Sequence, residues 1–408
     1  NYKEFGIPVI RGTNLNLPDG SKYSDCNYVY LSEKKANELK SSFAFKNDVV
    51  FVAQGTVGKV GIIPDSCIDN IFVLSQNLMK YTPDENILLP EYVYYYFRSN
   101  YGQHEIISRV NPTGVPCISK PLTALRNMQI KFPKVIADQR QIVSVLSSFD
   151  DKIELNRKMN ETLEDMARVI FKSWFVDFDP VHAKARGEKP AGMPGEIADL
   201  FPSEFIYSDQ LNKPIPKGWK VKSLKEIIDF NPLRQLKKGT VAPYVEMSSI
   251  PEQGMSIKNI YEREFKSGSR FKKGDTLFAR ITPCLENGKT AFVDCLQDDE
   301  IGWGSTEFIV MRSKPLLGDF FSYLVARSEW FRSVAIGSMT GSSGRQRASK
   351  EALEEIPLAI PKEDILKAFN SIVSIIPEKI KISHAESETL VKLRDSLLPK
   401  LISGEIEV

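Results

Sequence analysis

Apolar and polar positions along the 408-residue chain fall into two kinds of stretch. Short β-branched or aromatic runs between turn formers predict strands: Val49-Val50-Phe51-Val52, Val60-Gly61-Ile62-Ile63, Thr276-Leu277-Phe278-Ala279 and Phe308-Ile309-Val310-Met311. Two longer stretches repeat every seventh residue instead. In the first, Ile142, Phe149, Asn156, Leu163 and Ile170 share one heptad position, with Leu146, Ile153, Asn160, Ala167 and Trp174 four residues on. The second carries Phe369, Ile376, Ser383, Leu390 and Leu397, with Val373, Ile380, Ser387, Arg394 and Leu401 beside them. A seam of several heptads needs a second helix, so the two stretches are expected to pair as a coiled coil. Asn156 and Ser383 take equivalent seam positions, where a polar residue costs stability and fixes register. Pro377 cannot sit in a helix interior and aligns with Asp150, so a new helix is expected to begin at each. From residue 150 to 174 the helix would be roughly 37 Å long, close to the ~34 Å pitch of B-DNA.

Other landmarks also occur twice, in the same order. Phe45-Lys46-Asn47-Asp48-Val49-Val50-Phe51 resembles Phe271-Lys272-Lys273-Gly274-Asp275-Thr276-Leu277-Phe278, and Arg98-Ser99 returns as Arg327-Ser328. Thr113-Gly114 returns as Thr340-Gly341, Ile130-Lys131-Phe132-Pro133 as Leu358-Ala359-Ile360-Pro361, and Glu161-Thr162-Leu163 as Glu388-Thr389-Leu390. The separation is about 227 residues, far beyond a solenoid period of ~20–50, so it marks a duplicated unit. The expected fold is α+β: two strand-rich globular domains joined by two long helices, with an internal pseudo-two-fold repeat. The segments are 1–133, a first globular domain; 134–176, a helical spacer; 177–215, an irregular connector; 216–361, a second globular domain; and 362–408, a second helical spacer. Residues 216–241 have no counterpart in the first copy, so about twenty residues are expected to precede Asn1. Each copy also holds an aromatic helix, at 91–100 and 319–330. Tyr92-Val93-Tyr94-Tyr95-Tyr96-Phe97 is read as buried against a sheet rather than as a base-stacking platform.

Composition narrows the function classes. The chain has 54 Lys+Arg against 52 Asp+Glu, a net +2, with 42% hydrophobic residues, which is ordinary globular composition. No stretch approaches the ~18 apolar residues of a membrane span. Five scattered cysteines and three histidines suggest neither a disulfide framework nor a zinc site, and reduced thiols in the cytoplasm are expected. Gly288-Lys289-Thr290 and Gly58-Lys59 lack the earlier glycine of a phosphate-binding loop, since Pro283 and Ala53 stand there. A nuclease site forced from Pro18-Asp19 and Glu33-Lys34-Lys35 would place its carboxylate on a polar helix-like stretch rather than a core strand. No metal site, catalytic residue or nucleotide loop emerges.

Binding loops do. Gly337-Ser338-Met339-Thr340-Gly341-Ser342-Ser343-Gly344-Arg345-Gln346-Arg347-Ala348-Ser349-Lys350 carries three positive charges and no acid. Glycine and hydroxyl residues let backbone N–H groups approach phosphates, and Arg and Gln reach base edges. Its counterpart contains Asn111 and Thr113. Polar loops after equivalent strands supply Gln54, Thr56 and Lys59 in the first copy and Arg280, Thr282 and Lys289 in the second. Candidate DNA-binding residues are therefore Gln54, Thr56, Lys59, Asn111, Thr113, Arg280, Thr282, Lys289, Thr340, Ser342, Arg345, Gln346, Arg347 and Lys350. The candidate helix seam is Ile142, Phe149, Ile153, Asn156, Leu163, Ile170, Ile376, Ile380, Ser383, Leu390 and Leu397. Two similar frames with different side chains suit double-stranded DNA with a split, asymmetric target. Solvated hairpin loops are the alternative for any one residue, and a lone metal-dependent nuclease or a coiled-coil scaffold for the whole chain.

A resemblance supports the DNA reading. The run Asp138-Gln139-Arg140-Gln141-Ile142-Val143, continuing through Phe149-Asp150-Asp151-Lys152-Ile153-Glu154-Leu155-Asn156-Arg157-Lys158-Met159-Asn160, resembles the first conserved region of type I restriction-modification specificity subunits. Phe171-Lys172-Ser173-Trp174-Phe175, Pro216-Lys217-Gly218-Trp219, a strand at Gly304-Ser305-Thr306-Glu307-Phe308, and the terminal Arg394-Asp395-Ser396-Leu397-Leu398-Pro399-Lys400-Leu401 are similar to later parts of that family. The resemblance implies two target-recognition domains, each reading half of a bipartite site, and antiparallel helices acting as a ruler. It implies no catalysis and no cofactor in the chain itself. S-adenosylmethionine would belong to two partner methyltransferase subunits, and ATP and Mg to restriction subunits recruited through them.

Overall fold

The computed structural model describes residues 2–15, 22–25, 27–111, 114–342 and 344–407. The chain divides into two compact units, Asn1–Arg157 with His384–Val408, and Lys158–Ser383. These boundaries cut through the long helices, unlike the segment boundaries drawn from sequence.

The first unit contains strands β1 (Ile7–Ile10), β2 (Val29–Leu31), β3 (Phe43–Ala44), β4 (Val49–Val52), β5 (Val60–Ile62), β6 (Phe72–Leu74), β7 (Leu78–Tyr81), β8 (Val110–Asn111) and β9 (Cys117–Ile118). Its helices are α1 (Glu33–Glu38), α2 (Pro90–Arg98), α3 (Asn100–Ile107), α4 (Pro121–Arg126) and the first half of α5 (Ile136–Phe175). After α5 come α6 (Asp179–Ala185), α7 (Gly195–Leu200) and a hairpin of β10 (Phe205–Ser208) and β11 (Lys213–Pro216). The connector is thus built of regular elements, not the irregular stretch its Pro and Gly content suggested. Its apolar residues explain the order: Phe178, Val181, Phe201 and Ile215 are buried in the core of the second unit.

That unit continues with β12 (Lys220–Ser223), α8 (Leu224–Ile227), β13 (Ile228–Phe230), β14 (Val241–Val245), β15 (Tyr261–Glu264), β16 (Ser269–Lys272), β17 (Thr276–Ala279), β18 (Thr290–Phe292), β19 (Ile301–Gly304) and β20 (Phe308–Ser313). Then follow α9 (Phe321–Arg327), α10 (Glu329–Gly337), α11 (Lys350–Glu354), β21 (Pro357–Ile360), α12 (Glu363–Val373) and α13 (Ile375–Ser403). Residues 305–307, expected within a strand, form the turn between β19 and β20. There the Ser305 hydroxyl accepts from the Glu307 N–H at 3.2 Å.

Sheet topology bears out the duplication. One sheet runs β2-β1-β6-β3 in the first unit and β15-β14-β19-β16 in the second, with β1–β6 and β14–β19 the parallel pairs. The other runs β5-β4-β7 in the first and β18-β17-β20-β13 in the second. Every residue of β4 and of β17 is buried, so each reads as a continuous apolar run rather than an alternating one. Phe51 packs under the aromatic helix α2, while Val50 and Val52 face a second cluster with Ile10, Leu15 and Phe72.

The aromatic helices are core elements. Tyr92, Tyr94 and Tyr95 on α2 and Tyr323 on α9 are fully buried, each worth ~1.5–3 kcal/mol on a transfer scale if its hydroxyl is satisfied. Tyr92 donates to the Lys131 carbonyl at 3.1 Å, and the Arg98 guanidinium donates to the Tyr94 hydroxyl at 2.8 Å. The second unit repeats that last contact, with Arg327 on Tyr323 at 3.0 Å. Tyr323 in turn donates to Glu164 on α5 at 2.6 Å, and burial holds the Glu164 carboxyl above its usual range.

No predicted seam residue is exposed. Ile142, Ile153, Asn156, Ile376, Ile380 and Ser383 are buried, and Phe149, Leu163, Ile170, Leu390 and Leu397 are half-buried. The companion positions are deeper: Leu146, Ala167, Trp174 and Leu401 are all buried. Within the first unit α5 and α13 pair antiparallel, since Asn156 donates to Glu386 at 2.7 Å while Asp150 meets Arg394 at 2.5 Å. Asn156 also donates to the Ser387 hydroxyl at 3.2 Å, a contact that specifies register as its seam position implied.

Pro377 lies in the first turn of α13, where its missing N–H costs nothing. The break expected at Asp150 does not occur, and α5 runs unbroken for 40 residues, about 60 Å. Asp150 has the N–H that Pro377 lacks. Its carboxylate turns inward and accepts from Arg394, from the Tyr95 hydroxyl at 2.6 Å and from Lys22 at 3.3 Å.

Candidate nucleic-acid interface

The two loops singled out in each copy are brought together by the same backbone contacts. In the first unit, the loop of residues 53–59 between β4 and β5 lies against residues 116–118. Gly55 N–H donates to the Pro116 carbonyl at 2.8 Å, and Ile118 N–H donates to the Ala53 carbonyl at 2.9 Å. In the second unit, Thr282 N–H donates to Gln346 at 3.0 Å, and Ala348 N–H donates to Arg280 at 2.8 Å. Single β-bridges Gln54–Cys117 and Ile281–Arg347 occupy the matching positions.

A third contact, from the helix behind, also recurs. The Gln103 side-chain amide on α3 donates to the Gly58 carbonyl at 2.9 Å. Arg332 on α10 donates to the Glu286 carbonyl at 3.0 Å and packs on Gly288. Gly58 and Gly288 both have positive φ, +101° and +80°. A Cβ there would come within 3.0 Å of Gln103 and 3.2 Å of Arg332, so glycine permits the close approach.

The side chains on these frames differ. In the first unit Gln54, Thr56 and Asn111 are exposed and Lys59 is half-buried, while Thr113 lies outside the described residues, as do Pro18, Asp19 and Cys26. In the second unit Thr340, Ser342 and Arg345 are exposed, and Thr282, Lys289, Gln346, Arg347 and Lys350 are half-buried. Among the described residues the Arg345 guanidinium has no hydrogen-bond or ion-pair partner, and the buried Thr282 hydroxyl has none either.

The other candidate cations of the second unit, Arg280, Lys289, Arg347 and Lys350, are each engaged by a group outside the segment's own count of charges. Arg347 grips Glu307 through Nε, at 2.9 and 3.0 Å, and through Nη2, at 2.7 Å. Arg280 approaches the same carboxylate through Nε at 3.4 Å. Lys350 pairs with Glu354 at 2.9 Å, and Lys289 donates to the Met247 carbonyl at 3.0 Å. The Arg347 guanidinium holds the Glu307 carboxyl below the usual carboxylate range. Glu307 escaped sequence reasoning because it is 40 positions from Arg347, and only the β20 register brings it there.

Frames clamped at matching backbone positions, carrying exposed Gln, Thr, Ser, Asn and Arg, offer donors and acceptors suited to base edges and phosphates. Comparisons with the sequences of known proteins point the same way. The family model described as the type I restriction modification DNA specificity domain matches residues 2–165 and 216–391. The chain is 24% identical over 405 residues to the MjaIX specificity subunit of Methanocaldococcus jannaschii, covering 93% of this chain and 84% of that protein. It is 25% identical over 400 residues to the HindI specificity subunit of Haemophilus influenzae, covering 84% and 83% respectively. Among solved structures, the S subunit of a type I system from M. genitalium aligns with 98% of this chain and 93% of its own, at 17% identity and a TM-score of 0.48.

Proposed function

Because the chain belongs to the type I restriction-modification DNA specificity family, we propose that its two units each read one half of an asymmetric, bipartite DNA target. The observation that carries this is the twice-used loop frame. Backbone contacts are the same in both units, whereas the exposed side chains placed to read bases are Gln54, Thr56 and Asn111 in one and Thr340 and Ser342 in the other, with the untethered Arg345 left to meet a phosphate. Equal scaffolds with unequal readers give two different half-sites.

In this reading the chain performs no chemistry and needs no cofactor. Two methyltransferase subunits dock on the helices and supply S-adenosylmethionine, and restriction subunits join through them with ATP and Mg. The complex works in the cytoplasm, and no helix among the described residues is long and apolar enough to cross a membrane. Helices α5 and α13 fix the number of unread base pairs between the half-sites.

The test follows from the antiparallel pairing. Seven residues inserted after Arg157 must be matched by seven before His384, because the Asn156–Glu386 register forbids lengthening one helix alone. A heptad adds about 10 Å, so the spacer read by the assembled complex should grow by about three base pairs. An unchanged spacer with both half-sites still recognised contradicts the ruler.

A further inference from the structure

We infer that Glu307 is a positioning residue that presets Arg280 as a base-reading group for one half-site; the inference rests on the DNA-reading function proposed above. The geometry is a three-member clasp. Glu307 sits at the turn before β20 and accepts both Arg347 Nε and Nη2, a two-point contact that fixes the plane of the carboxylate. Its other engagement is Arg280 Nε. The strand ladder reinforces the pair, since Arg280 N–H donates to the Glu307 carbonyl at 3.0 Å.

The two arginines are left in different states. Arg347 is used up: Nε and Nη2 face Glu307, and Nη1 lies 3.4 Å from the Arg345 carbonyl. Arg280 is held only by Nε, and its Nη1 and Nη2 have no hydrogen-bond partner among the described residues. About a third of that side chain is exposed. An arginine tethered by Nε retains the forked Nη edge that recognises guanine O6 and N7, and much of its rotamer freedom is already removed. An untethered arginine would settle on the nearest phosphate, which carries no sequence information.

The first unit lacks the clasp. Ala53 N–H donates to the Asn77 carbonyl at 2.7 Å, the counterpart of Arg280 and Glu307. The Gln54–Cys117 bridge is the counterpart of Ile281–Arg347. Ala53, Asn77 and Cys117 therefore replace Arg280, Glu307 and Arg347, and no charge is present at any of the three positions. Any effect of Glu307 must be confined to one half-site, which separates positioning from general loss of structure.

The experiment is selection of a random double-stranded DNA library by the full chain assembled with its modification subunits, followed by titration of selected sites at several salt concentrations. With Glu307→Gln, base discrimination in one half-site should fall about tenfold while the other half-site is unchanged. Two released guanidinium groups should steepen the dependence of log affinity on log salt by about two. Arg347→Lys keeps the charge and loses the two-point grip, so it should give the same one-sided loss of discrimination and serves if E307Q does not fold. Unchanged preferences in both half-sites, or equal loss in both, overturn the positioning role. Failure of the wild-type complex to enrich any sequence overturns the DNA-reading function itself, and this inference with it.

Discussion

Replacing Arg394 by leucine should destabilise the first unit by about 3 kcal/mol. Its side chain is 1% exposed and that of Asp150 is 5% exposed, so the ion pair at 2.5 Å is almost wholly removed from water. Removing one partner of such a pair typically costs ~3–5 kcal/mol, because a buried charge is left uncompensated. The lower end applies here, since Asp150 keeps the Tyr95 hydroxyl at 2.6 Å and Lys22 at 3.3 Å. Leucine at both Asp150 and Arg394 should recover part of the loss. What persists is the unmet Tyr95 hydroxyl, worth ~1–3 kcal/mol. As a control, Lys35→Ala breaks an exposed pair with Glu38 and should cost under ~0.5 kcal/mol. Two compact units need not unfold together, so the assay is amide hydrogen exchange along residues 136–157 under increasing urea. A loss below ~1 kcal/mol for Arg394→Leu, or a double variant as unstable as the two singles added, refutes the reasoning.

Two further outcomes follow from the second unit. Arg345→Ala removes an exposed cation with no partner among the described residues, so DNA affinity should fall alike for all sequences and the salt slope should drop by about one; altered base preference with an unchanged slope contradicts this. Burial pushes the Asp294 carboxyl up to about 6. A carboxyl that binds its proton more tightly when folded makes stability fall as pH rises from its unfolded to its folded value, here between pH ~4 and 6. Asp294→Asn should lessen that fall and raise stability at pH 7 by up to about 3 kcal/mol, read from urea midpoints across the window; a fall as steep in the variant as in the wild type contradicts it.

Much of the fold was legible because it is local or repeated. The buried runs at β4, β5, β17 and β20, the aromatic helices and the heptads all carry their burial in their own periodicity. The duplication was visible as matched landmarks, and the matched sheet orders supply its physical basis. What escaped was tertiary. The burial of the Asp150 carboxylate depends on Arg394, 244 residues away, and the connector's order depends on a core it meets only after folding. The candidate loops were located by sequence, yet what their charges meet was hidden for the same reason. Glu307 and Glu354 neutralise Arg347 and Lys350 from outside the segment, leaving Arg345 as its exposed cation.

The most direct test of the central claim is a genome-wide map of methylated bases in host cells with and without this chain. Two short, different sequences at a fixed separation, methylated only when the chain is present, are the predicted result. A single contiguous methylated motif, or a map unchanged by its loss, would contradict the account.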